Sequence, residues 1–246
     1  MQKPEMILFD FGHTLIGEFD FNPLRGNSAI FPYLTKNPNH ITPQQFSDRM
    51  QATFSELRRI SGGHLEFLEE NMLRYVLSSF GMELRIPLDA ASEVIWDNIT
   101  DMQPMPGVKE MLARMRCEGM RTAIISNIAW SESSLRLRLA RHLPEHTFEF
   151  IIATSSYLYR KPDVQIFELG ARMAGLAPEQ IWYVGNDVRN DVFGAHAAGM
   201  FPVYLDERRV PSSVFEANDA LYPEVDFPHL RAESWDAFVQ VWDTLS

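Results

Sequence analysis

Apolar and polar positions along the chain follow two different periods. Residues 6–9 form an unbroken apolar run that ends on Asp10, the pattern of a strand buried on both faces. Similar short runs lie at residues 122–125, 150–153, 181–184 and 201–205. Between them the spacing is helical. Val108, Met111, Leu112 and Met115 share one face of a helix predicted over residues 108–118, which Gly119 ends. Further helices are predicted over residues 131–142, 162–174 and 191–198, the last two stopped by Gly175 and Gly199. A final helix runs through Trp235, Phe238, Val239 and Trp242. Strands alternating with helices predict a parallel sheet covered on both faces.

The stretch between the first two runs reads differently. Gly17, Pro23, Gly26, Pro32 and Pro38 break any period over residues 17–40. Thr42, Pro43 and Gln45 then give an N-cap, a first-turn proline and a capping box, followed by Phe46, Met50, Phe54 and Leu57 at helical spacing. A second helix is read through Leu65, Leu68, Met72, Tyr75, Val76 and Ser79 up to Gly81, and a third begins near Asp89. Residues 17–103 are therefore expected to be an all-helical insertion, with Glu66, Glu69 and Glu70 on a solvated face. The remaining residues, 1–16 and 104–246, make the α/β core.

Composition narrows the function classes. With 246 residues there is ample chain for a buried core, and 46% hydrophobic against 22% charged residues is ordinary for a globular protein. A net charge of -11 argues against non-specific nucleic-acid binding, which needs an excess of lysine and arginine. Cys117 is the only cysteine, which leaves no intrachain disulfide or cysteine cluster. No apolar run approaches the roughly 18 residues of a membrane span, and the first strand is too short for a signal peptide, so a cytoplasmic protein without membrane partners is expected.

Four strand ends carry the candidate chemistry. Asp10 follows the first strand, at the sheet edge where open α/β sheets bind ligands, and an aspartate there can act as a nucleophile. Ser126 and Asn127 follow the second, where a hydroxyl and an amide can donate to phosphate oxygens or cap a helix. Lys161 lies just before a helix start at Pro162, a position unfavourable for a cation unless its partner is elsewhere, such as Asp10 and a bound anion. Asp187 and Asp191 lie at the next strand–helix junction, where two carboxylates can ligate Mg²⁺ or cap the helix.

Asp10-Phe11-Gly12-His13-Thr14-Leu15, Lys161-Pro162-Asp163 with Ile166-Phe167, and Val184-Gly185 with Asp191 and Gly194-Ala195 together resemble the motifs of the haloacid dehalogenase superfamily. That resemblance implies a Rossmann-like three-layer parallel sheet with a helical cap inserted between the first and second motifs, as in phosphoglycolate-phosphatase-like members. It also implies a hydrolase acting on a small phosphorylated metabolite through an aspartyl-phosphate on Asp10, with Ser126 and Lys161 holding the phosphoryl oxygens. Mg²⁺ would bridge Asp10, the backbone carbonyl of Gly12 and a carboxylate of the fourth motif.

Two positions depart from the family pattern. Gly12 stands where a second aspartate normally supplies acid–base chemistry. His13 is the neighbouring candidate for that task, with an unperturbed pKa near 6.5, but adjacent residues on an extended segment face opposite sides and its side chain is expected to point away. In the fourth motif the longer family spacing puts Asn186 at the first metal position and the shorter puts Asp187 there; Asp187, which brings charge, is the expected ligand. Rival readings are a metal-free 2-haloacid dehalogenase, a phosphonoacetaldehyde hydrolase, a phospho-receiver domain and a non-catalytic phospholigand- or protein-binding member. Lys36 is the lone lysine of the insertion and lies in irregular sequence, which disfavours the Schiff-base chemistry of the second. Arg25, His40, Arg49 and His64 are candidate substrate contacts, each expected to be ordinary surface.

Overall fold

The computed structural model describes residues 2–206 and 224–245. The end of the core segment at 207–223 lies outside these described residues. Strand β1 (Met6–Phe9) is followed by β2 (Ile16–Phe19), α1 (Pro23–Ser28), β3 (Leu34–Lys36), α2 (Pro43–Ile60), α3 (Glu69–Phe80), β4 (Glu83–Leu84), α4 (Leu88–Ile99) and β5 (Asp101–Pro104). The chain continues as α5 (Val108–Cys117), β6 (Arg121–Ser126), α6 (Glu132–His142), β7 (Ile151–Ala153), α7 (Val164–Ala174) and β8 (Ile181–Gly185). A π-helical turn at Val188–Phe193 leads into α8 (Gly194–Ala197), β9 (Phe201–Leu205), β10 (Leu230–Ala232) and α9 (Trp235–Trp242).

Among the described residues, six parallel strands form one sheet in the order β10-β9-β8-β1-β6-β7. Side-chain alternation divides each strand between two cores, as expected for a sheet covered on both faces. Ile7, Phe9, Ile124 and Val184 join one cluster, and Met6, Leu8, Ile125 and Tyr183 join the other. Helix α9 seals the first face. Its Trp235 packs edge-on against Phe9 at 5.8 Å, and its indole N–H donates to the Thr14 carbonyl at 3.0 Å, tying the C-terminal helix to the loop after β1. No helix among the described residues is long and apolar enough to cross a membrane.

The expectation of an all-helical insertion is corrected in two places. A two-stranded antiparallel sheet, β3 with β4, lies inside it, braced by a Lys36–Glu83 ion pair. Strands of three and two residues are too short to register as a period in sequence. At its root, β2 pairs antiparallel with β5, so the chain leaves the core and returns to it through one ribbon. The second inserted helix also begins later than expected, at Glu69 rather than near Leu65. Residues 64–66 instead bond to the core: Glu66 N–H donates to Leu158 C=O at 2.6 Å, and Arg160 N–H donates to His64 C=O at 3.2 Å. Helical periodicity cannot reveal that a backbone finds its partners in a distant segment.

Candidate active site

Four of the expected residues meet at the carboxyl edge of the sheet. β1 and β8 are neighbours in register, and β1 pairs with β6 on its other side, so Asp10, Ser126 and the Gly185 loop emerge side by side. Lys161 reaches in from the segment before α7 and is 2% exposed. Its ammonium donates to Asp10 Oδ1 (2.7 Å), Asp191 Oδ1 (2.6 Å) and the Tyr183 hydroxyl (2.8 Å), using all three N–H groups. Burial opposes the charge, and the two carboxylates outweigh it, so the lysine pKa is raised. Lys161 therefore shares its single positive charge between the two aspartates.

Asp191 is 1% exposed, and burial pushes its carboxyl up to about 7, with Lys161 pulling against that and Asp10 and Asp187 adding to it. Its second oxygen accepts from the Asp187 backbone N–H at 2.9 Å. Gly185 makes this approach feasible, since a Cβ there would overlap the Asp191 carboxylate. The Asn127 side chain serves a positioning role: it accepts from Lys161 N–H at 2.7 Å and donates to Lys161 C=O at 2.9 Å. The amide thereby fixes the backbone of Lys161, and its second N–H is not used in that pairing. Ser126 is buried on the wall of the adjoining cavity.

Asn186 and Asp187 both line the cavity beside Asp10, with different partners. Asp187 caps the turn that follows it, Oδ1 accepting from Asn190 N–H at 2.8 Å and Oδ2 from the Asn190 amide at 2.7 Å. Asn186 is the side chain that converges with Asp10. The Thr14 hydroxyl lies 3.3 Å from Asp10 Oδ2 and 3.1 Å from Asn186 Oδ1. Among the described residues no three His, Cys, Asp or Glu side chains form a metal cluster. Asp10, Gly12, Asn186, Asp187 and Asp191 all line this end of the cavity and offer oxygens of mixed kind. Against one buried lysine stand Asp10, Asp191 and Glu18, with Asp191 and Glu18 both pushed up to about 7. Hard oxygen donors of this kind fit Mg²⁺, which is commonly held by one or two carboxylates, water and substrate phosphate.

Glu18, which the sequence pattern did not single out, faces the gap at residue 12. A Cβ built on Gly12 would lie 3.3 Å from Glu18 Oε2, so this carboxylate from β2 reaches where a side chain at position 12 would project. Burial, then the charge of Asp10, raises its pKa to about 7, and the Trp96 indole opposes the shift. His13 has a left-handed backbone (φ 54°) and does not line the cavity that Glu18 and Asp10 share. Burial lowers the imidazole pKa, with Asp10 acting in the other direction.

That cavity has a volume of about 510 Å³ and runs from Asp10, Ser126 and Lys161 up to the inserted helices. Its upper wall includes Gln51, Phe54 and Arg58 of α2, Glu69 and Met72 of α3 and Ile95 of α4. Glu66 and Glu69, expected on a solvated face, are 2% and 3% exposed. Glu66 accepts ion pairs from Arg58 (2.6 Å) and Arg160 (3.6 Å), joining α2 to the segment before Lys161. Arg25, His40, Arg49 and His64 stay off the cavity wall, and Arg25 pairs instead with Asp20 and Asp101.

A strand-end carboxylate paired with a buried lysine opens onto a cavity at the carboxyl edge of a parallel sheet, an arrangement suited to nucleophilic group transfer. The sequence model of the haloacid dehalogenase-like hydrolases matches residues 7–204, and the chain belongs to that family. It is 25% identical over 210 residues to a glyceraldehyde 3-phosphate phosphatase from Pyrococcus furiosus, covering 83% of this chain and 82% of that protein. A similarly named protein from Methanothermobacter thermautotrophicus is 30% identical over 106 residues, and there the match spans only 46% of that relative and 43% of this chain. Haloacetate dehalogenase H-2 from Moraxella sp. is 29% identical over 203 residues, covering 81% of this chain and 84% of that protein. In fold, the chain is similar to a 2-haloacid dehalogenase from Pseudomonas syringae pv. tomato, with a TM-score of 0.64 at 18% identity, covering 99% of both chains.

Proposed function

We propose that this hydrolase is a Mg²⁺-dependent phosphatase of small phosphorylated metabolites in the cytoplasm. The observation that carries the reading is the Asp10–Lys161–Asp191 cluster opening, beside Asn186 and Glu18, onto a cavity roofed by the inserted helices. In this reading residues 17–103 act as a cap that excludes water and holds the leaving group. Asp10 attacks phosphorus, the ester P–O bond breaks, and the leaving oxygen takes a proton from the Glu18 carboxyl. Glu18, now a carboxylate, takes a proton from water as that water attacks the aspartyl-phosphate, releasing phosphate and restoring Asp10. Lys161 holds Asp10 in place through an ion pair, and Ser126 can donate to a phosphoryl oxygen. Asp10, Asn186 and the Gly12 carbonyl would hold Mg²⁺, with the charge of Asp191 behind them. The ion would supply neutralisation of the phosphoryl charge.

Glu18 distinguishes this reading from halide displacement. A halide leaves without a proton, so halide displacement would use Glu18 only as a base toward water in the second step, whereas ester cleavage also uses it as the acid in the first. The deciding experiment measures phosphate release from p-nitrophenyl phosphate and small alkyl phosphates with Mg²⁺ and with a chelator, alongside halide release from 2-chloropropionate. Mg²⁺-dependent phosphate release is expected; metal-independent chloride release without phosphatase activity overturns the reading.

Glu18→Gln gives a more specific expectation. Turnover of alkyl phosphates should fall by about 10²- to 10⁴-fold, the usual worth of a positioned acid–base group. With p-nitrophenyl phosphate, whose leaving group needs no proton, the first step should survive while hydrolysis of the phosphoenzyme slows. Rapid-mixing kinetics should then show a burst of one p-nitrophenol per active site. Equal losses on both substrate types, without a burst, would remove Glu18 from the mechanism.

A further inference from the structure

Glu69 is the first residue of α3, and nothing in the chemistry at Asp10 uses it. Its Oε2 accepts a hydrogen bond from Ser92 Oγ on α4. Its Oε1 is buried and has no hydrogen-bond partner among the described residues. The Trp130 indole nitrogen is likewise buried and unpartnered, on a ring stacked 4.7 Å from Trp96. Both residues line the cavity that Asp10 opens into. A native interior rarely leaves such groups unpaired, and a buried acceptor beside a binding cavity is explained by a donor that arrives with the ligand.

Glu69 is also held in fixed relation to the phosphate end. Its backbone N–H donates to Ala129 C=O at 2.7 Å, in the loop that follows Ser126. Between the two ends the wall is apolar, with Met50, Phe54, Met72 and Ile95. The ligand that fits is anionic at one end, carbon-rich in the middle and hydroxyl-bearing at the other. A hydroxyl can donate to a carboxylate oxygen and accept from an indole N–H, the two capacities left unpaired here.

We propose that Glu69 determines specificity by accepting a hydrogen bond from a substrate hydroxyl, so that the substrates are polyhydroxylated, sugar-like phosphate monoesters. This assignment rests on the phosphatase reading. It deepens that reading from "small phosphorylated metabolite" to a chemical class.

The test compares kcat and KM for glycerol 3-phosphate, erythrose 4-phosphate and ribose 5-phosphate with those for n-propyl phosphate and phosphoglycolate. At least one hydroxylated substrate should exceed both comparators in kcat/KM by about 10²-fold or more, because a site built to bond a hydroxyl discriminates strongly against analogues lacking it. Glu69→Gln keeps the shape and an oxygen for Ser92, and should cut that preference to below about 10-fold, chiefly through KM. Equal kcat/KM across the series, a preference for phosphoglycolate, or a preference that Glu69→Gln leaves intact overturns the inference while the phosphatase reading stands. If the variant fails to fold, the wild-type comparison alone decides. A wild type that releases phosphate from none of these, nor from p-nitrophenyl phosphate, overturns both.

Discussion

Asp10→Asn is expected to lower phosphate-ester turnover by at least about 10⁴-fold, since the amide cannot form the covalent intermediate. The same substitution should barely disturb the fold. Lys161 keeps Asp191 as a charged partner at 2.6 Å, and the amide oxygen of the variant can still accept from the ammonium. Removing one of two carboxylates around a single lysine also relieves like-charge repulsion. The measurement is acid-quenched phosphoenzyme trapping together with steady-state rates and a thermal melt. Activity that survives in Asp10→Asn would rule out Asp10 as nucleophile, whatever the remaining site looks like.

Lys161→Met should act in the opposite way, on stability first. It leaves Asp10 and Asp191 facing each other, buried and without their cation, and breaking such a buried pair costs about 3–5 kcal/mol. At about 2–4 °C per kcal/mol for a chain of this size, the melting temperature should fall on the order of 10 °C. The sign of the pH dependence follows from Asp191, whose carboxyl is pushed up to about 7. A carboxyl with a raised folded-state pKa is no burden below its unfolded value and costs stability as pH climbs through that value to the folded one. Loss of Lys161 raises that pKa further, so the deficit of the variant should be larger at pH 8 than at pH 5. Urea denaturation at the two pH values measures this directly. A deficit that is small, or independent of pH, would mean that Lys161 does not carry the charge balance described here.

Asp10, Ser126, Lys161 and Asp191 were legible because each follows a strand-like apolar run or stands at a helix start, and strand ends in a parallel sheet converge by construction. The distribution of roles among them was not legible. Asp187 and Asn186 are adjacent, and only the folded loop reveals that Asp187 spends both oxygens on Asn190 while Asn186 meets Thr14 beside Asp10. Asn127 was read as a phosphate donor from its place after a strand; the fold adds that its amide fixes the backbone of Lys161.

The acidic residues of the insertion expose a second limit. Glu66 and Glu69 sit near a helix start among Glu70 and other polar positions, a pattern that reads as a solvated face. Helical spacing reports which residues share a face, and says nothing of whether a second layer covers it. Here the start of α3 is tied to the loop after β6, which buries Glu69 against the cavity, and Glu66 pairs with Arg58 and Arg160. Glu18 was passed over for a related reason: four residues of β2 carry too little period to show that the ribbon folds its carboxylate back over Gly12.

By itself the sequence determined a parallel α/β core, and it offered residues 17–103 as a candidate insertion, Asp10 as a nucleophile candidate and Gly12 as a departure from the family pattern. Those features depend on apolar runs, breakers and residue types, which are local properties of a chain. The tertiary structure alone decided that Glu18 faces the vacancy, that Asn186 shares Thr14 with Asp10, and that Glu69 leaves an unpaired oxygen in the cavity wall. Each depends on how separate segments pack: the β2 ribbon folding back over Gly12, the loops after β1 and β8 meeting at the sheet edge, and α3 docking on the loop after β6, none of which a local pattern encodes.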